Sequence, residues 1–206
     1  MKPFDVLRRY LLDRAPFSDS DLERIEPYFL PRHLAKGSFL QRAGEAIRYA
    51  AFVAHGCLRC FVIDAQGKEH ILQFAPETWW VSDIVALTSG SPATLFVEAL
   101  EDSELLLLDR PSQKALLEAF PLYAAAYQAG VQKHIASKDT RILQTLSASA
   151  EERYLGFLAT YPSIARRVPQ RMLASYLGIT PEALSRVRRS IAKKKTQGSG
   201  ASRPAR

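Results

Sequence analysis

Cysteine is nearly absent from this chain. Cys57 and Cys60 are the whole complement, too few for a disulfide framework or for the four thiolates of an iron-sulfur centre. They lie in CLRCFVI, a β-rich run, where an odd spacing along a strand sends two thiols to opposite faces, so they are read as structural. Histidine is almost as scarce: His33, His55, His70 and His134 are scattered. A jelly-roll metalloenzyme needs clustered ligands, commonly two histidines one residue apart with a glutamate nearby, and only Glu69-His70 and distant His55 are on hand. No metal, no cofactor and no catalysis are expected, although single histidines leave haem open. No apolar run approaches the roughly 20 residues of a membrane span. The N-terminal MKPFDVLRRYLLDRAPF also lacks an unbroken apolar stretch with a cleavage site, so a cytoplasmic location is expected.

Acidic residues are sparse at one end only. Residues 151–206 hold 12 Lys and Arg against 3 Asp and Glu, a net +9, whereas residues 1–150 hold 16 against 18, a net −2. That gradient fits a chain whose C-terminal part alone meets a polyanion. What is present in quantity is apolar residue: 47% of 206 suffices for a real core, in one medium domain plus one small one.

The most informative stretch is RVPQRMLASYLGITPEALSRVRRSI, Arg167 to Ile191. Pro169 sits near a helix start, and Leu173, Ala174 and Leu177 share one face. Gly178 suits a left-handed stop, with Ile179 dropping back onto the core. Thr180 is a good N-cap, Pro181 fits the first helical position, and Leu184, Val187 and Ile191 form the buried stripe of a second helix. The opposite face then carries Glu182, Ser185, Arg186 and Arg189. Arginine can donate twice to guanine, a carboxylate can accept from cytosine, and serine can serve a base or a phosphate. The unit reads as a helix-turn-helix in which Glu182, Ser185, Arg186 and Arg189 read bases, while Gln170, Arg171 and Thr180 contact phosphates.

Ahead of it the texture changes twice. Residues 4 to 30 read as two short helices broken at Ala15-Pro16, with Ser18 or Asp19 as cap. From Leu34 to Leu108, short apolar runs are punctuated by glycines at 37, 44, 56 and 67, which predicts an antiparallel jelly roll with a hairpin turn at Asp64-Ala65-Gln66-Gly67. SQKALLEAF is a short helix and LYAAAYQAGVQKHIASKDTRILQTL a long one, its stripe broken by Lys138. Tyr127, Val131, Ile135 and Ile142 are its candidates for a dimer seam. SASAEERYLGFLATYPSIARRVPQ continues helically to Tyr161-Pro162. The last residues, TQGSGASRPAR at 196–206, read as a disordered basic tail, and little sequence remains for a β-hairpin wing.

A β-roll, a long connecting helix and a C-terminal helix-turn-helix, in that order, resemble the Crp/Fnr family of bacterial transcription regulators. GKEHILQFAPE, EALEDSELLLLDR and VPQRMLASYLGITPEALSRVRR carry the likeness, which covers nearly the whole chain. It implies an α+β protein: a cyclic-nucleotide-binding-like roll over 1–110, connecting and dimerisation helices over 111–147, and a helix-turn-helix over 148–195 with a reduced or missing wing. It implies a homodimer on double-stranded DNA, with half-sites roughly 34 Å apart. Cyclic-nucleotide binders of the family carry a Gly-Glu pair and an Arg-Ser/Thr pair, the Arg holding the phosphate. At those places this chain has Ser82-Asp83 and Ala93-Thr94, which predicts no response to cyclic AMP. Phe61, Trp79, Trp80, Asp83 and Thr94 fall near where the family's ligand sits; they either hold another small effector or simply fill the cavity. A sensor or protein-interaction module without DNA binding, or a cupin-like metalloenzyme, would be the alternative.

Overall fold

The computed structural model describes residues 1–199, with side chains as far as Lys194. It divides into two compact units, Met1–Ser137 and Lys138–Arg206.

The first unit opens with α1 (Pro3–Leu12), which has proline in its first turn, and α2 (Asp19–Ile25). Ser18 caps α2 reciprocally: its Oγ accepts from the Asp21 amide at 3.1 Å, and its own amide donates to the Asp21 carboxylate at 3.2 Å. A 3-10 turn, Glu26–Tyr28, leads into the strands. These are β1 (Leu30–Leu34), β2 (Phe39–Gln41), β3 (Tyr49–His55), β4 (Leu58–Ile63), β5 (Glu69–Ala75), β6 (Trp80–Val81), β7 (Phe96–Ala99) and β8 (Ser103–Asp109), with α3 (Ile84–Ser89) between β6 and β7. They form two antiparallel four-stranded sheets, ordered β1-β8-β3-β6 and β2-β7-β4-β5. Gln66 and Lys68 amides both donate to Asp64 Oδ1 at 3.0 Å, closing the β4–β5 turn expected at 64–67.

Two cores result from the period-2 alternation of strands. Ala51, Val53, Leu105 and Leu107 of the first sheet meet Leu58, Cys60, Val97 and Ala99 of the second. Phe52, Ala54, Leu106 and Leu108 face the other way, onto Leu7, Leu11, Leu22 and Ile25 of the N-terminal helices and Leu116 and Tyr123 further on. That double cover explains why the four leucines of β8 are all buried. Both cysteines are buried thiols.

After β8 come α4 (Arg110–Ala119) and α5 (Pro121–Ser147). The second unit holds the end of α5, then α6 (Ala150–Thr160), α7 (Ile164–Arg167), α8 (Gln170–Leu177) and α9 (Pro181–Ser199). The long helix does not run on into 150–160. Ser149 interrupts it with a capping box, its Oγ accepting from the Glu152 amide at 3.2 Å. The one-turn α7 was not foreseen. Helix α9 runs to Ser199, into the first residues of the stretch 196–206. The remainder of that stretch, 200–206, lies outside the described residues. No strand follows α9 and no helix is long and apolar enough to cross a membrane, among the described residues.

Candidate nucleic-acid interface

In the second unit, buried Leu173, Ala174 and Leu177 fix α8. Pro169 stands at its N-cap position, one residue earlier than a first-turn proline. At the other end Gly178 adopts φ 66°, ψ 35°. Its amide donates to the Ser175 carbonyl at 3.1 Å, and the Ile179 amide reaches back to Ala174 at 3.0 Å, which satisfies carbonyls that the helix end would orphan. Only two residues later Thr180 starts α9: its Oγ1 accepts from the Ala183 amide at 3.2 Å.

On α9, Leu184 is buried at 1% exposure, and Val187 and Ile191 are half-buried. Glu182, Ser185, Arg186 and Arg189 are exposed on the opposite face. At about 100° per residue all four fall within one sector of the helix. Gln170, Arg171 and Thr180 are exposed as well. The Glu182 carboxyl is held below its ordinary value by a bond from its own backbone amide, then by the Thr180 side chain, with Arg186 adding attraction. It therefore remains an acceptor at neutral pH. Lys193, four residues beyond Arg189, is exposed on the same face. Lys194 instead turns to Glu151 of α6, Nζ to Oε1 2.6 Å.

In the first unit the expected effector residues separate into two groups. Ser82, Asp83, Ala93 and Thr94 do come together around the start of α3. Buried Asp83 accepts from the Ala86 amide (3.1 Å), the Thr94 amide (2.9 Å) and the Thr94 hydroxyl (2.7 Å), while Ser82 Oγ donates to the Tyr49 carbonyl at 3.3 Å. The three aromatics do not converge. Trp79 packs on the core between the sheets and Trp80 on the outer core, against Phe52 at 5.5 Å and Phe29 at 6.3 Å. Phe61 stacks on Phe96 at 5.1 Å beneath the Arg59 guanidinium. Trp79 lies just before β6 and Trp80 opens it, and the two side chains pack on different cores. Arg59, 5% exposed, is forked between Glu69 and Glu98, a buried cation that is fully paired and unforeseen from sequence.

Tyr127, Val131, Ile135 and Ile142 are all exposed along α5, together with Leu143 and Leu146, the last at 80%. No group of three or more His, Cys, Asp or Glu side chains able to hold a metal occurs among the described residues.

Residues 31–120 match the family described as cyclic nucleotide-binding domain. No curated protein matches the chain. Among solved structures it is similar to the catabolite activator protein of Thermus thermophilus, at 22% identity and TM-score 0.55 over 87% of this chain and 86% of that one. FixK2 of Bradyrhizobium japonicum gives 22% and 0.68 over 82% and 86%. The c-di-GMP responsive global regulator CLP of Xanthomonas campestris gives 15% and 0.67 over 92% and 96%. Residues 31–120 thus match the cyclic nucleotide-binding domain family, and the paired antiparallel sheets, long helix and terminal helix pair share the fold of these solved structures.

Proposed function

We propose that this protein is a homodimeric, sequence-specific DNA-binding transcription regulator, with α9 lying in the major groove, and that it does not answer to cyclic AMP. The observation that carries the reading is the single exposed ridge of Glu182, Ser185, Arg186 and Arg189 above a buried Leu184. The turn from Gly178 to Thr180 lets that ridge project from a short, rigid support. Arg186 and Arg189 read bases, Ser185 serves a base or phosphate, and Glu182 accepts from cytosine. Gln170, Arg171, Thr180 and Lys193 hold the backbone. Dimerisation is supported by the apolar row that α5 leaves exposed.

The residues around α3 do not fit a cyclic nucleotide phosphate. Asp83 already takes both donors of Thr94, and Ala93 stands where a bidentate arginine would be required. An incoming phosphate would meet a buried carboxylate. Calorimetric titration with cyclic AMP is therefore expected to give no heat of binding.

Selection of duplexes from a random pool should recover a two-fold-symmetric operator. On that operator Arg186→Ala should cost about 1–3 kcal/mol and relax preference at one base pair. Unchanged discrimination in a fluorescence titration would remove Arg186 from the reading set, and failure to select any sequence would overturn the assignment.

A further inference from the structure

We infer that Arg141, on α5, is a positioning residue that fixes the departure angle of the recognition helix without itself touching DNA; this rests on the DNA-reading role proposed above. Arg141 lies in the second unit with α8 and α9. Its guanidinium carbon stands 4.0 Å from the centroid of the Tyr176 ring, and its Nη2 donates to the Tyr176 carbonyl at 2.8 Å.

The position of that carbonyl gives the contact its meaning. Tyr176 is in the last turn of α8, where carbonyls have no intrahelical partner. The amides of the turn go to Ala174 and Ser175, and the Tyr176 carbonyl receives Arg141. A cation there also meets the negative end of the helix. The Tyr176 ring is itself held edge-on by Phe157 of α6 at 5.3 Å, and Phe157 by Tyr161 at 5.4 Å. Two residues beyond Tyr176 is Gly178. A Cβ there would lie within 3.9 Å of Thr145 and 3.7 Å of Arg153 Nη1, so α5 and α6 close around the turn.

The guanidinium thus joins α5 to the last turn of α8, two residues before the backbone swings into α9. A planar, forked cation can stack and donate at once; a lysine can only donate. Half-buried and engaged on protein groups, Arg141 acts through the turn and not on a phosphate.

The test uses the full chain with Arg141→Met, which keeps the stem and deletes the guanidinium, and Arg141→Lys. Hydrogen exchange at the Gly178 and Ile179 amides should accelerate in Arg141→Met relative to amides within α6. Affinity for the selected operator should fall about tenfold, the scale of one lost charge-assisted bond. Non-specific affinity and the dependence of binding on salt should stay as in the unmodified protein, and Arg141→Lys should recover part of the loss. Unchanged exchange overturns the inference, as does undiminished operator affinity. A joint fall in specific and non-specific binding with a weaker salt dependence overturns it too, by making Arg141 a phosphate contact. If Arg141→Met does not fold, Tyr176→Leu, which removes the stacked ring and keeps the carbonyl, is held to the same outcomes. Should the unmodified protein bind no duplex specifically, the DNA reading falls, while the exchange measurement still decides whether Arg141 holds the turn.

Discussion

Adding one methyl group has unequal consequences at two glycines that share a positive φ. At Gly56, φ 97°, a Cβ would fall 2.8 Å from the Ser103 Cα and 2.3 Å from its Oγ. The obstacle includes backbone, so Gly56→Ala is expected to cost about 3 kcal/mol. At Gly178, φ 66°, the nearest atom is 3.7 Å away, and only the left-handed conformation is penalised, by about 1 kcal/mol. Urea denaturation of the two variants checks the order, and a larger loss at Gly178 would refute it. Asp83 supplies a pH dependence. Burial by itself raises its pKa, but the hydroxyl and amide of Thr94, with the Ala86 and Val85 amides, outweigh that and hold it below the ordinary 3.8. A depressed folded pKa means stability that is present above 3.8 and lost as pH falls through the lower folded value. Asp83→Asn should therefore be less stable at neutral pH yet lose less on acidification. Parallel stability curves for the two proteins would show that the carboxylate contributes nothing. Glycine punctuation was readable in the sequence, but the closeness of Ser103 to Gly56 was not, since 47 positions separate them.

At the scale of elements, α5 exposes a row of large apolar side chains. Tyr127, Val131, Ile135 and Ile142 step along it at intervals of four, four and seven, with Leu143 and Leu146 alongside, a spacing that suits a helix pairing with its twin. Ile135→Asp or Ile142→Asp should shift the protein from dimer to monomer in sedimentation, with loss of operator affinity because one half-site is then read alone. A dimer that survives both substitutions would place the seam elsewhere. The ends of this helix and of its neighbours were only partly legible. Ser149-Ala150-Glu151-Glu152 does carry a capping-box pattern, but in a run already helical on both sides the pattern gave no reason to expect a break. Helix α8, the turn and α9 were readable nearly residue by residue, because stop, cap and stripe are all interactions within a few positions of one another.

Across the whole molecule, charge is the property that most directly predicts behaviour in solution. The net +9 of residues 151–206 against −2 for the rest concentrates any attraction for a polyanion in the C-terminal part. If two copies bring about six phosphate contacts to a duplex, affinity should drop on the order of a thousandfold between about 50 and 200 mM salt. A flat salt response would argue instead for a protein partner. The sequence by itself determined the order of parts, the two helices on either side of the Gly178 turn and which face of the second is basic, since these follow from spacing, caps and composition along a continuous stretch. The tertiary structure alone decided that Trp79, Trp80 and Phe61 go to three different places. It decided equally that Arg59 is answered by Glu69 and Glu98, and that Arg141 reaches the end of α8. Each of those depends on which strand or helix lies opposite, and a one-residue change of register or facing reverses the outcome without altering any local pattern.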